Sequence, residues 1–217
     1  MGDDDEDKLF EMINEIFSGL AHDLRGPLQT IKNCIYLLEI EPDDRSPLKL
    51  IDDSVGHLTS LLERFREYHR GHKVAPTETS FNALVEHAIK QVDVPEGIRV
   101  IQELDPETGE AQVDIAKMGQ ALRHVIQSAV DAMPDGGELR VKTLGEPKGV
   151  TVIISDTGET IPDSVKSDLF KPFATKFRDG DGLSLPSCQR IVRAHGGEID
   201  IENEGGGGTT FIIRLPR

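Results

Sequence analysis

Tryptophan is absent from the 217-residue sequence, and aromatic residues make up only 5% of it. Proteins that hold single-stranded nucleic acid stack bases on aromatic platforms, and few are offered here. Positive charge is also in short supply: 24 Lys and Arg stand against 39 Asp and Glu, a formal net charge of −15. Most of such a surface repels a phosphate backbone, so no nucleic-acid partner is expected. Cysteine occurs only at Cys34 and Cys188, each inside a helical pattern and without CxxC or Cys/His ligand spacing. Reduced, buried thiols of a cytosolic protein are expected. No apolar run approaches the ~20 residues of a membrane span, and the acidic start, Met1-Gly2-Asp3-Asp4-Asp5-Glu6-Asp7, is unlike a signal peptide. The expected location is cytoplasmic, either for a separate protein or for the cytoplasmic part of a larger one. With 37% hydrophobic and 29% charged residues, the chain can bury a core while exposing much helix surface.

What is present begins with a long helical pattern. Ile13, Ile16 or Phe17, Leu20, Leu24, Leu28, Ile31, Ile35 and Leu38 recur every three or four residues, the stripe of an amphipathic helix over about 7–41. His22 falls beside the stripe, on the helix yet able to meet solvent. Asp23 follows it, and Pro27 interrupts the hydrogen-bond ladder of the same helix. A turn at 42–47 follows, with Ser46 placed as N-cap and Pro47 as first helical residue. Leu48, Ile51, Val55, Leu58, Leu62 and Phe65 then alternate spacings of three and four, a heptad seam sustained to about Arg70. Two long antiparallel helices with narrow stripes bury them poorly alone, which predicts that two hairpins pair into a dimeric four-helix bundle.

Residues 71–76, Gly-His-Lys-Val-Ala-Pro, read as a linker, dividing a 1–70 hairpin from a 77–217 domain of mixed character. Ser80 caps a helix to about Val92 with Leu84, Ala88 and Ile89 inward, and a strand at 98–104 and an extended piece at 111–113 follow. A helix over 115–133 has Ile115, Met118, Leu122, Val125, Ala129 and Met133 inward. Strands at 138–144 and 150–155, a short helix near 163–169, a long flexible stretch to Gly182, a helix over 185–194 and strands at 198–203 and 209–215 complete it. This order predicts an α+β sandwich, one sheet backed by one helical layer.

Five blocks, in order, make the chain resemble the catalytic core of a sensor histidine kinase of two-component signalling. They are His22-Asp23-Leu24-Arg25-Gly26-Pro27-Leu28; the helix Gln120–Met133; Asp156-Thr157-Gly158-Glu159-Thr160; Leu169–Phe177 with Gly180-Asp181-Gly182-Leu183-Ser184; and Gly206-Gly207-Gly208-Thr209-Thr210. The resemblance implies a dimerisation and phosphoacceptor hairpin followed by an ATP-binding α/β sandwich of the Bergerat type. It implies ATP-dependent autophosphorylation of His22, oriented and deprotonated by Asp23, and transfer of the phosphoryl group to the aspartate of a response-regulator receiver domain. Homodimerisation and an upstream sensor domain lying outside this chain are further expectations, as is a larger, membrane-bound sensor of which this would be the cytoplasmic part.

For ATP and Mg²⁺ the resemblance implies contacts from Ser128, Asp131, Asp156, Gly158, Thr160, Phe173, Lys176, Gly180, Gly182, Leu183, Thr209 and Thr210, with Lys176 or Arg178 offsetting phosphate charge. Ser128 stands where an Asn ordinarily ligates Mg²⁺, and a bridging water is expected there. His124 replaces another Asn, and Thr160 and Ser184 replace glycines. A β-branched residue avoids positive φ, so the loop at Thr160 is expected to take its own path. His195 with Gly196-Gly197 reads as a helix C-terminus with its cap. Gly26 stands four residues after His22, where family members that dephosphorylate their partner carry Asn or Thr to position a water. Weak or absent phosphatase activity is therefore expected. The departures keep a second reading open, a histidine phosphotransfer or scaffold protein with a degenerate ATP site.

Overall fold

A computed structural model describes residues 3–69, 73–173, 182–203 and 207–216. Contacts divide the chain into a helical unit up to residue 71, which Pro172 and Phe173 also join, and an α/β unit made of the rest.

The helical unit consists of α1 (Asp3–Ile40) and α2 (Ser46–His69). The apolar stripe on each helix divides in two. On α1, Leu20 and Cys34 are buried, Leu24, Ile31 and Leu38 half-buried, and Phe17, Leu28 and Ile35 exposed. On α2, Leu61 and Tyr68 are buried and Ile51, Leu58 and Phe65 half-buried. Leu48, Val55 and Leu62, spaced by seven, remain 41%, 47% and 52% exposed. The start of α2 differs from expectation. Asp44 is the capping group, accepting the Ser46 N–H at 2.8 Å and the Ser46 hydroxyl at 2.9 Å. The hydroxyl donates back to this carboxylate, and these bonds hold the Asp44 pKa below its usual value.

The α/β unit is built from β1 (Thr77–Ser80), α3 (Phe81–Lys90), β2 (Ile98–Leu104), a short 3₁₀ turn, β3 (Glu110–Val113), α4 (Ile115–Asp131), β4 (Gly137–Glu146), β5 (Gly149–Asp156), α5 (Asp163–Lys166), α6 (Ser184–Ala194), β6 (Glu198–Asn203) and β7 (Thr209–Pro216). Five strands form one mixed sheet in the order β2-β4-β5-β7-β6, with β2 and β4 parallel and the other neighbours antiparallel. β1 and β3 form a separate two-stranded ribbon, a second small sheet beyond the single one expected. The core joins Phe81 and Val85 of α3, Met118, Leu122, Val125 and Ile126 of α4, and Ile191 and Val192 of α6 to Leu139, Val141, Val152, Ile154, Phe211 and Ile213 of the sheet. Ile115, expected inward, is 50% exposed. It is the first residue of α4, and Cα–Cβ bonds tilt toward a helix N-terminus, so its side chain points off the end while the core begins at Met118.

Side-chain caps set the helix starts. Ser80 accepts the Ala83 N–H at 3.4 Å, and Asp114 accepts that of Lys117 at 3.1 Å. Asp114 also accepts the Ala75 N–H at 3.0 Å, and Lys117 Nζ bonds the Lys73 carbonyl, fastening 73–76 to the start of α4. At the end of α6, His195 Nδ1 donates to the Ile191 carbonyl at 2.8 Å and Nε2 accepts the Asp114 N–H at 2.9 Å. That pairing requires the neutral tautomer with the proton on Nδ1. Gly196 follows with φ 75, the left-handed conformation glycine supplies after a helix. Among the described residues, no helix is long and apolar enough to cross a membrane.

Candidate functional site

In the helical unit, α1 carries His22 with its side chain 68% exposed, while that of Asp23 is 15% exposed. The His22 Nδ1 lies 3.2 Å from an Asp23 carboxylate oxygen. An Nδ1–H donated to that carboxylate leaves the lone pair on Nε2, the nucleophilic form of the ring. Pro27 lacks the N–H that would bond the Asp23 carbonyl four residues back, so the ladder is interrupted at the level of this pair. Gly26 is exposed, and a Cβ built there would meet nothing within 4 Å.

In the α/β unit, a polar cluster forms where β5 ends and β7 begins. Asp156 is 1% exposed, and its Oδ1 accepts the Gly158 N–H at 2.9 Å. Ser155 pairs with Thr210, so the next step of the register sets Thr209 opposite Asp156 on the same sheet face. Thr209 is 0% exposed, and its hydroxyl has no hydrogen-bond partner among the described residues. Thr210 is turned to the other face, where its hydroxyl lies 2.7 Å from that of Ser155. The period-two alternation of a strand thus parts the two threonines. Gly158 is required for close approach, but to protein: a Cβ there would lie 2.2 Å from the Ala132 carbonyl oxygen at the end of α4. Thr160 avoids positive φ, as expected of a β-branched residue, and its hydroxyl accepts the Gly208 N–H at 3.1 Å.

A buried carboxylate beside a buried hydroxyl without a partner suits the edge of a base that offers an amino donor, as adenine does. Residues 113–217 match the model of the histidine kinase-, DNA gyrase B-, and HSP90-like ATPase family.

Over nearly its whole length the chain is similar to sensor histidine kinases. It is 29% identical over 211 residues to the signal transduction histidine-protein kinase AtoS of Escherichia coli, an alignment covering 94% of this chain and 35% of that protein. It is 28% identical over 223 residues to the sensory histidine kinase/phosphatase NtrB of Azospirillum brasilense, covering 94% of this chain and 56% of that one. The chain thus spans between about a third and somewhat over half of these curated relatives. A crystal structure of the histidine kinase ThkA in complex with the response regulator TrrA superposes with a TM-score of 0.78 at 25% identity, over 96% of this chain and 63% of that one.

Within the matched segment, α4 presents His124 and Ser128 one turn apart, both half-buried. His124 Nδ1 donates to the Ser184 carbonyl at 3.2 Å, joining α4 to the first turn of α6. Gly182 precedes that turn with φ 66, and Leu183 is 1% exposed, a core anchor. Leu183 is the N-cap residue of α6, with no side-chain cap hydrogen bond among the described residues. Asp131 is exposed and accepts from Gln127 Nε2 at 2.8 Å. Phe173 has φ 57 and is grouped with the helical unit. Lys176, Arg178, Gly180, Asp181 and Gly206 lie outside the described residues.

Among the described residues no three His, Cys, Asp or Glu side chains gather as a metal site. Sequence reading passed over Thr157, whose hydroxyl accepts the Glu138 N–H at 3.0 Å and donates to Met133 Sδ at 3.7 Å. A lone Thr in a turn gives no periodic or spacing signal.

Proposed function

We propose that this chain is the catalytic core of a two-component sensor histidine kinase, with residues 1–70 a dimerising phosphoacceptor hairpin, 71–76 a linker and 77–217 the ATP-binding domain. The observation that carries the proposal is the His22–Asp23 pair: an exposed imidazole whose Nδ1 faces a carboxylate, in a chain that also contains an ATPase domain. ATP is the phosphoryl donor, its adenine read by Asp156 and Thr209 and its phosphates bound near the start of α6. Nε2 of His22 attacks the γ-phosphorus in line. An N–P bond forms, the bond to the bridging oxygen breaks, and ADP leaves with that electron pair. Asp23 holds the ring and takes the Nδ1 proton as positive charge develops. The phosphoryl group then passes to a receiver-domain aspartate, and movement about the linker gates the encounter of nucleotide and His22.

The relatives' names and the ThkA complex support this reading. The apolar stripes support the dimer: Leu48, Val55 and Leu62 of α2 and Phe17, Leu28 and Ile35 of α1 are 41–61% exposed, and a second copy covers them in a four-helix bundle. Incubation with γ-labelled ATP and Mg²⁺ tests the function. Acid-labile label on the wild type and none on His22→Ala is expected. No label on the wild type, with uptake from a phosphorylated receiver domain, would instead make the chain a phosphotransfer protein.

A further inference from the structure

The loop leaving β5 and the entry to β7 bound the base-reading end of the site, and Thr160 joins them. Its hydroxyl accepts the Gly208 N–H at 3.1 Å. Gly208 has φ +101, and a Cβ there would lie 2.0 Å from the Asp156 carbonyl oxygen, so the β7 entry rests directly on the backbone of Asp156. Thr209 comes next, with its buried hydroxyl that has no partner among the described residues. The loop is anchored on its other sides by the Glu159 N–H to the Ala132 carbonyl at 3.1 Å and by Asn203 Nδ2 to the Ile161 carbonyl at 2.9 Å. The loop thus meets the β7 entry by close backbone packing and by the Thr160 hydroxyl.

We propose that Thr160 is a positioning residue for base selection: it fixes Gly208, and through it the spacing between the Asp156 carboxylate and the Thr209 hydroxyl. The chemistry explains why spacing matters. A carboxylate accepts from the amino group of adenine and repels the carbonyl that guanine presents at the same place. A hydroxyl is donor or acceptor by rotation and discriminates only when held at a set distance from the carboxylate. The role does not require Thr160 to touch the nucleotide, and it rests on the nucleotide reading given above.

Binding of ATP and of GTP to the full chain, measured by calorimetry, tests it with Thr160→Val and Thr160→Ser. Valine keeps the shape and removes the acceptor. ATP affinity is expected to fall about tenfold, the effect of one lost hydrogen bond with its donor left buried, while GTP affinity changes by less than about twofold. Serine restores the wild-type ATP:GTP ratio. A valine variant with the wild-type ratio overturns the proposal. Amide exchange of the nucleotide-free wild type needs no variant that folds: the Gly208 amide is expected to be protected, and fast exchange there also overturns it. A wild type that binds neither nucleotide refutes the nucleotide reading itself. A protected Gly208 amide in that protein would then mark Thr160 as structural, against the positioning role.

Discussion

Asp23 sits 3.2 Å from one ring nitrogen of His22, near enough to fix the tautomer and, in the proposed reaction, to receive a proton. Asp23→Asn keeps the size and loses the charge, so autophosphorylation is expected to slow about 10²-fold, read as the rate of label incorporation at saturating ATP. Gly26 bears on the opposite reaction. It has no side chain to orient a water, yet a Cβ there would meet nothing within 4 Å, so a larger residue fits without rearrangement. Gly26→Asn is expected to speed loss of phosphate from a phosphorylated receiver domain by tenfold or more, on the order of one well-placed polar group. The wild type is expected to leave that loss unchanged, unlike the relative named kinase/phosphatase. Both residues were legible in the sequence because their meaning lies in their distance along one helix from His22. Thr209 and Thr210 were not separable in that way: a motif names both, and only the strand alternation puts one on the Asp156 face of the sheet and the other beside Ser155.

Among the elements, α4 is the one to which the most depends on a single group, Asp114. Its carboxylate caps the helix and holds the Ala75 N–H, while its own N–H is held by His195. Burial raises its pKa, but the N–H bonds from Ala75 and Lys117 outweigh burial, and the net value is lowered. Asp114→Ala is expected to destabilise the α/β unit by about 1–2 kcal/mol, the usual loss of a cap, seen as a lower thermal midpoint. A carboxylate with a depressed folded pKa adds stability above its unfolded pKa and loses it as pH falls through the folded value. The gap between wild type and variant should therefore be full at pH 7 and close as pH drops below about 4. Helices with strong periodicity, α1, α2, α3 and α4, were legible for the same reason that they are stable: each buries one face. β1 was not, because its four residues, Thr-Glu-Thr-Ser, have no apolar alternation and become a strand only by pairing with β3. Ile115 fits the α4 periodicity yet lies outside the core, since periodicity reports which face a residue is on and not whether the helix end is covered.

At the scale of the whole molecule, the half of the α2 seam that stays exposed gives the proposed dimer a direct test. Val55 and Leu62 are 47% and 52% exposed, so replacing both with Asp should barely disturb the fold of one chain. It is expected to convert the dimer to monomer in sedimentation equilibrium, and an unchanged mass would remove the four-helix bundle. The general architecture was legible because a periodic half is followed by a mixed half. How each apolar stripe splits between two neighbours was not, because sequence periodicity sums both faces into one pattern. The scarcity of cysteine has a further use. Cys34, 2% exposed, belongs to the helical unit, and Cys188, 0% exposed, to the α/β unit, where burial raises its thiol pKa to about 12. A thiol of that kind reacts with alkylating reagents only when its surroundings open. Each unit therefore carries its own clock. With Cys34→Ser and Cys188→Ser made separately, ATP is expected to slow alkylation of Cys188, because a ligand lowers the population of open states of the unit that binds it. Alkylation of Cys34 should keep its rate.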